Sequence, residues 1–216
     1  MERAANLLNL DSGIKEDLNI KDEVLKVLNG TVDVLITISS LIDSYTTNHQ
    51  QRVSQLACAI AEKLGLPEHR IEGIKIGSLL HDIGKIAIPN HILSKYGAIS
   101  EHEFGIIKCH PQNGYKILSK IKFPWPVHKM VLQHHERLDG TGYPVGLLGE
   151  DILFEAKIIA VADVVEAISS HRPYRSSLGM DTAIQEISDN SGTLYDETIV
   201  KACIRLILED KFKFTT

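Results

Sequence analysis

Cysteine, tryptophan and long apolar runs are all scarce in this 216-residue chain, and each scarcity excludes something. The three cysteines, Cys58, Cys109 and Cys203, are far apart and odd in number, which excludes a disulfide framework and favours a reducing compartment. Each is expected to be a small buried hydrophobe. The opening MERAANLLNLDSG has an early acidic residue and too short an apolar run for a signal peptide. The most apolar stretches, 32–42 and 158–165, are interrupted by Asp33 and Asp163 and are too short to span a bilayer. A cytoplasmic protein without a membrane span is therefore expected. Excess positive charge is missing as well: the formal net charge is -5, so the chain has no general attraction to a nucleic acid polymer or an anionic membrane. A phosphate ligand would have to be small and held by locally placed cations or metals. With 44% hydrophobic and 24% charged residues, the length suits one globular domain, with or without a helical extension, that buries its core without staples.

Apolar residues return mostly at three and four, the helical spacing. Val24, Leu25, Val27, Leu28, Val32, Leu35, Ile38, Leu41 and Ile42 suggest one or two helices, with a break at Asn29-Gly30. Leu56, Ala57, Ile60 and Leu64 mark the next, with Gly65 where it should stop. Ile71, Ile74, Leu79 and Leu80 follow Pro67, and Ser100 with Glu103 forms a capping box before a helix containing Phe104, Ile107 and Cys109. Val127, Met130, Val131 and His134 lie on one stripe, before a glycine-rich loop at 139–149. Further helices are expected over 154–169, from Met180-Asp181 with Ala183, Ile184 and Ile187 inward, and over 197–208 through Val200, Cys203, Ile204 and Ile207. No alternating strand pattern or internal repeat stands out, so the fold class is all-α.

Several polar residues in this apolar text are costly unless they bind something. In HDIGK, at 81–85, His81 and Asp82 point about 100° apart on a helix, so they share a site only if it is larger than one ion or lies at the helix end. The same holds for His134 and His135, and the turn signals Asp139-Gly140 and Gly142 permit a helix to end near them. Asp163, in IIAVADVVEAI, meets apolar neighbours on nearly every face. A charged carboxylate there must be paired, capped onto backbone amides or metal-bound. His49, near the start of a helix, and His110, before Pro111, complete the candidates. His69, His91, His102, His128 and His171 are taken as ordinary surface or core residues.

Five blocks of text carry a resemblance: SYTTNHQQRV (44–53), LLHDIGKIAIP (79–89), HPQNGYKIL (110–118), HHERLDGTGYP (134–144) and AVADVVEAISSHRPYR (160–175). Together they resemble the HD phosphohydrolase superfamily and, more narrowly, the HD-GYP cyclic di-GMP phosphodiesterases. The resemblance implies an HD-domain helical bundle with HD-GYP C-terminal extension helices, over 44–216, preceded by a helical segment at 1–43. It also implies two divalent metal ions. One would take His49, His81, Asp82 and Asp163, and the other would share Asp82 as a bridge and add His110, His134 and His135. Nitrogen and oxygen donors of this kind suit iron or manganese, with magnesium, nickel, zinc or cobalt as substitutes. Some members hold a third metal through a glutamate one helical turn before the first histidine; here that position is Tyr45, so two metals are expected.

The implied reaction is hydrolysis of cyclic di-GMP to pGpG, with slow progress to GMP, by a hydroxide bridging two ions roughly 3.5 to 4 Å apart. Lys85 would contact a phosphate oxygen and stabilise the transition state, and Asp82 would hold both ions. Tyr143 would meet a guanine, and Arg172 and Arg175, with forked donors, would bind phosphate or a guanine edge. Glu136 and Asp139 are expected to organise the loop. A cyclic GMP-AMP dinucleotide is a second substrate the text allows. Two other readings compete: a cyclic dinucleotide receptor or diiron sensor of low turnover, and a general mononucleotidase, which the GYP loop disfavours. The segment 1–43 is open to packing on the domain, a homodimer helix or a link to another domain, and the resemblance allows contact with cyclic di-GMP synthases.

Overall fold

A computed structural model describes residue 23 and residues 26–40, 44–95, 97–171 and 177–215, the side chains of 44–47 excepted. Val24, Leu25, Leu41, Ile42, Arg172, Arg175 and the side chain of Tyr45 lie outside the described residues. The chain divides into a unit Met1–Leu35 and a larger one, Ile36–Thr216. Residues 26–40 are helical without interruption, so the expected break at Asn29-Gly30 does not occur. Glycine weakens a helix by only about 1 kcal/mol, too little to end one unaided.

Among the described residues from 44 onward, nine α-helices follow in order: α1 (Ser44–Lys63), α2 (Glu68–Leu80), α3 (Asn90–Leu93), α4 (Glu101–Ile107), α5 (His110–Leu118), α6 (Val127–Gln133), α7 (Phe154–Ser169), α8 (Met180–Asp189) and α9 (Glu197–Leu208). Short 3-10 turns, Ile83–Ala87 and Gly149–Asp151, join α2 to α3 and α6 to α7. Among the described residues there is no β-strand, only isolated bridges pairing Asp139 with Leu148 and Ser191 with Tyr195. The all-α expectation therefore holds.

Local chemistry sets the helix ends. At the end of α1, Gly65 takes φ +72°. Its N–H reaches the Glu62 carbonyl at 2.9 Å, and the Leu66 N–H reaches Ala61 at 3.0 Å, the paired bonds that close a helix with glycine. The Ser100 hydroxyl accepts from the Glu103 N–H at 3.3 Å, and Glu103 Oε2 accepts from the Ser100 N–H at 2.8 Å, completing the capping box. Asp196 caps α9 by accepting from the N–H groups of Thr198 and Ile199. Cys109, expected within the α4 helix, instead lies beyond it and precedes α5.

The core forms where apolar stripes meet. Val53, Leu56, Ala57 and Ile60 of α1 pack with Ile158, Ile159, Val161 and Val165 of α7 and with Ile187, Ile199 and Cys203 from α8 and α9. Each large side chain buried this way contributes about 1.5–3 kcal/mol relative to exposure. Cys203 is buried as expected and its thiol is pushed up to about 12 by burial, but Cys58 is only half-buried and Cys109 is exposed. The α1–α7 contact matters most for the site, because α7 buries apolar residues on most of its surface and turns two carboxylates toward α1.

Candidate metal centre

Seven residues from five stretches of chain converge in the interior. His49 comes from α1, more than a turn inside it, and Asp163 comes from α7. His81 caps the C-terminus of α2 and Asp82 begins the 3-10 turn. His110 opens α5, while His134 caps the C-terminus of α6 with His135 next to it. Of the two ways for neighbours to share a site, one larger than a single ion or one at a helix end, the helix end is present at both pairs. His49, His81, Asp82, His110, His134 and Asp163 are buried, and His135 is half-buried.

Gly84 makes the convergence sterically attainable. A Cβ placed there would lie 1.9 Å from the His110 carbonyl oxygen and 2.4 Å from the Gly114 nitrogen. Only glycine lets the turn after Asp82 pass so close to the start of α5. As a result, Asp82 Oδ1 stands 3.3 Å from His110 Nε2, while Oδ2 stands 3.4 Å from His81 Nε2 and 3.8 Å from His49 Nε2. The two oxygens of one carboxylate thus face different groups of imidazoles.

Backbone carbonyls orient three of the rings. His81 Nδ1 lies 2.6 Å from the Ser78 oxygen, His110 Nδ1 2.8 Å from Ile107 and His134 Nδ1 2.7 Å from Val131. A carbonyl only accepts, so each Nδ1 carries the hydrogen and each neutral ring keeps a lone pair on Nε2. Burial lowers His110 to about 4 and takes His134 and His135 well below the usual imidazole range, which keeps them neutral. His110 Nε2 and His134 Nε2 then face one another at 3.3 Å with no proton to share. His81 Nε2 is buried without a hydrogen-bond partner. Lone pairs facing each other, and a buried ring nitrogen that makes no hydrogen bond, are unfavourable unless a cation lies among them.

The carboxylate side is charged. Burial would lower His49, but its bonds to Asp163 and Glu166 outweigh burial and raise it to about 9. Its Nε2 is 3.2 Å from Asp163 Oδ1, and its Nδ1 bonds Glu166 Oε2. Asp163 and Asp82 are held well below the usual carboxylate range: burial opposes this in both, while His49 for Asp163 and Lys85 for Asp82 prevail over it. Among the described residues, three donor groups are compact enough to hold an ion: His49, His81 and Asp163; His81, Asp82 and His134; and His110, His134 and His135. Ligand atoms within each group lie within 4.8 Å of one another. This His/Asp cluster fits divalent cations by donor type and geometry.

Lys85 Nζ is 2.7 Å from Asp82 Oδ2, at the edge of the centre. Tyr143 stacks on His135, with ring centroids 4.6 Å apart and 28° between planes, and Lys108 Nζ lies 5.4 Å from the tyrosine centroid. Glu136 organises the loop as expected, its carboxylate accepting from the N–H groups of Val145, Gly146 and Leu147 at 2.8 to 3.0 Å. Asp139 accepts from the Thr141 N–H at 3.0 Å and its hydroxyl at 2.7 Å. Gly142 lets this loop cross its own root, since a Cβ there would lie 2.4 Å from Glu136 Cα. Arg52 and Glu166 belong to the site but have no role among the sequence-based expectations. The signal for Glu166 was present: it follows Asp163 by three residues, on the same face of the same apolar helix.

Comparison with known proteins agrees with this architecture. The HD domain family matches residues 33–199, and the chain belongs to that family. Among curated relatives, it is 38% identical over 216 residues to the cyclic di-GMP phosphodiesterase response regulator RpfG of Xanthomonas campestris pv. campestris, covering 94% of this chain and 57% of that protein. It is 40% identical over 186 residues to a cyclic di-GMP phosphodiesterase of Thermotoga maritima, covering 85% of this chain and 49% of that one. The chain thus spans about half the length of the curated relatives it matches. An HDG"Y"P protein from Bdellovibrio bacteriovorus shares the fold at TM-score 0.61 and 22% identity, over 75% of this chain and 52% of that one. Among the described residues, no helix is long and apolar enough to cross a membrane.

Proposed function

We propose that this chain is a metal-dependent phosphodiesterase that hydrolyses cyclic di-GMP to pGpG. The observation that carries the proposal is the buried Asp82 carboxylate, which has one oxygen toward His110 and the other toward His49 and His81, whose buried Nε2 makes no hydrogen bond. In this reading His49, His81, Asp82 and Asp163 hold one ion, and Asp82, His110, His134 and His135 hold a second, with iron or manganese the best match to the donors. When bound, such ions supply a nucleophilic water at neutral pH and neutralise charge on the phosphoryl oxygens.

The chain's own groups do the rest. The carbonyl-pinned imidazoles need no rotation to present Nε2, so the ligand set is preorganised. Lys85, with its ammonium at the Asp82 carboxylate, is placed to meet a phosphoryl oxygen as negative charge develops there. Tyr143, braced against His135, offers an aromatic face to a guanine. In the reaction the water oxygen bonds to phosphorus, the bond from phosphorus to one ribose 3′ oxygen breaks, and a proton ends on that oxygen. Opening one of the two diesters in this way gives linear pGpG. The names of the relatives support the substrate class, and the donor geometry supports the chemistry.

The test is turnover by anaerobically purified protein given Mn²⁺ or Fe²⁺ and cyclic di-GMP, with products separated by chromatography. Stoichiometric appearance of pGpG is expected. Ligand that is bound yet recovered intact after prolonged incubation would identify a receptor and overturn the proposal.

A further inference from the structure

Glu166 is fully shielded from solvent, yet the proposed chemistry does not use it. Both of its oxygens are committed. Oε2 accepts from the His49 Nδ1–H, while Oε1 accepts from Arg52 Nε at 2.6 Å and lies 2.5 Å from Arg52 Nη2. The pairing is a match of faces: His49 and Arg52, three apart on α1, meet Asp163 and Glu166, three apart on α7.

His49 needs such a partner for a backbone reason. His81, His110 and His134 stand at or beside helix ends, where carbonyls lack partners within the helix and are free to accept from Nδ1. His49 lies inside α1, where the helix consumes its own carbonyls. Its orienting acceptor therefore has to come from another element, and α7 provides a carboxylate instead of a neutral carbonyl. A charged acceptor behind the ring both fixes its orientation and makes Nε2 a stronger donor to a cation. At the opposite end of the centre, His110 and His134 are backed by neutral carbonyls. His135 Nδ1 lies 4.0 Å from Asp163 Oδ2.

We infer that Glu166, anchored by Arg52, is a positioning residue that fixes His49 with Nε2 toward Asp163 and Asp82, and that it selectively strengthens cation binding at the end formed by His49, His81 and Asp163. This rests on the reading of the centre as a two-cation site. Metal-free protein titrated with Mn²⁺ in a calorimeter, with bound metal counted by elemental analysis, separates the two binding steps. Wild type is expected to take two equivalents. Glu166→Gln keeps the size and removes the charge, and is expected to weaken one step about 10–100-fold while leaving the other unchanged. No change in either step, or equal weakening of both, overturns the inference. If Glu166→Gln does not recover helical circular dichroism, Arg52→Gln takes its place, since Arg52 has a side chain 25% exposed. It should weaken the same step by a smaller factor, and two unaltered steps would then overturn the inference. Wild type that binds no divalent cation would instead sink the proposed function, so the two failures are distinguishable.

Discussion

The two ends of the metal centre solve one problem differently. On the α1–α7 side, His49 is held by side chains 114 and 117 residues away in sequence, through Glu166, Asp163 and the Arg52 pair. On the α5–α6 side, His110 and His134 are held by carbonyls three residues earlier in the chain. Charge and long-range packing build the first half, while helix termination builds the second. The first is strong but depends on two helices meeting in register. The second is neutral and almost local, and asks only that each helix stop at the right residue.

Asp82 joins the halves, so its removal should have the largest effect. Asp82→Ala is expected to lower both bound metal and turnover by more than about 100-fold, beyond the range for losing a group that merely supports a ligand. Normal metal content by elemental analysis would show that the halves do not share this carboxylate. Lys85→Ala should lower turnover about 100- to 1,000-fold, the range for a single lost transition-state donor, while metal content stays at the wild-type level. An unchanged rate would remove the proposed role of Lys85. Gly84→Ala attacks the steric condition for bringing the halves together. The added Cβ must displace the His110 carbonyl, at a cost of about 1–3 kcal/mol, and a thermal melt should register a lower transition together with reduced metal uptake.

The smallest effect belongs to a site remote from both halves. Ser100→Ala should cost about 1 kcal/mol by removing the α4 cap, with metal binding unaltered. The capping partner Glu103 is lowered to about 2, first by its bond to Lys95 and then by those to Ser100. Because the folded value is depressed, this contribution is present in full above the unfolded value of 4.5 and fades as pH falls through about 2. Acid melts of wild type and Ser100→Ala should therefore converge toward low pH. Curves that stay parallel would deny the carboxylate its part in the cap.

Much of the fold was legible because its signals are local. The stripe over 154–169 predicted α7, the one near 197–208 predicted α9, and Gly65 and Ser100 marked ends through backbone chemistry that needs only a few neighbours. The exceptions have local causes too. Gly30 was too weak a breaker to interrupt a helix, and Cys109, apolar enough to suggest burial, fell in the turn between α4 and α5, where it is exposed. Side-chain hydrophobicity sets a preference for the interior, but the position of a helix end decides whether a given residue reaches it.

The sequence alone determined which donors exist and that Asp163 is too costly to be idle. Tertiary structure decided what each donor faces. That Glu166 stands behind His49, that Asp82 divides its oxygens between two groups of imidazoles, and that Gly84 lies against His110 follow from how helices cross. Helical periodicity repeats every few residues and fixes which face of a helix is apolar, but it carries no information on which partner that face will meet across the core.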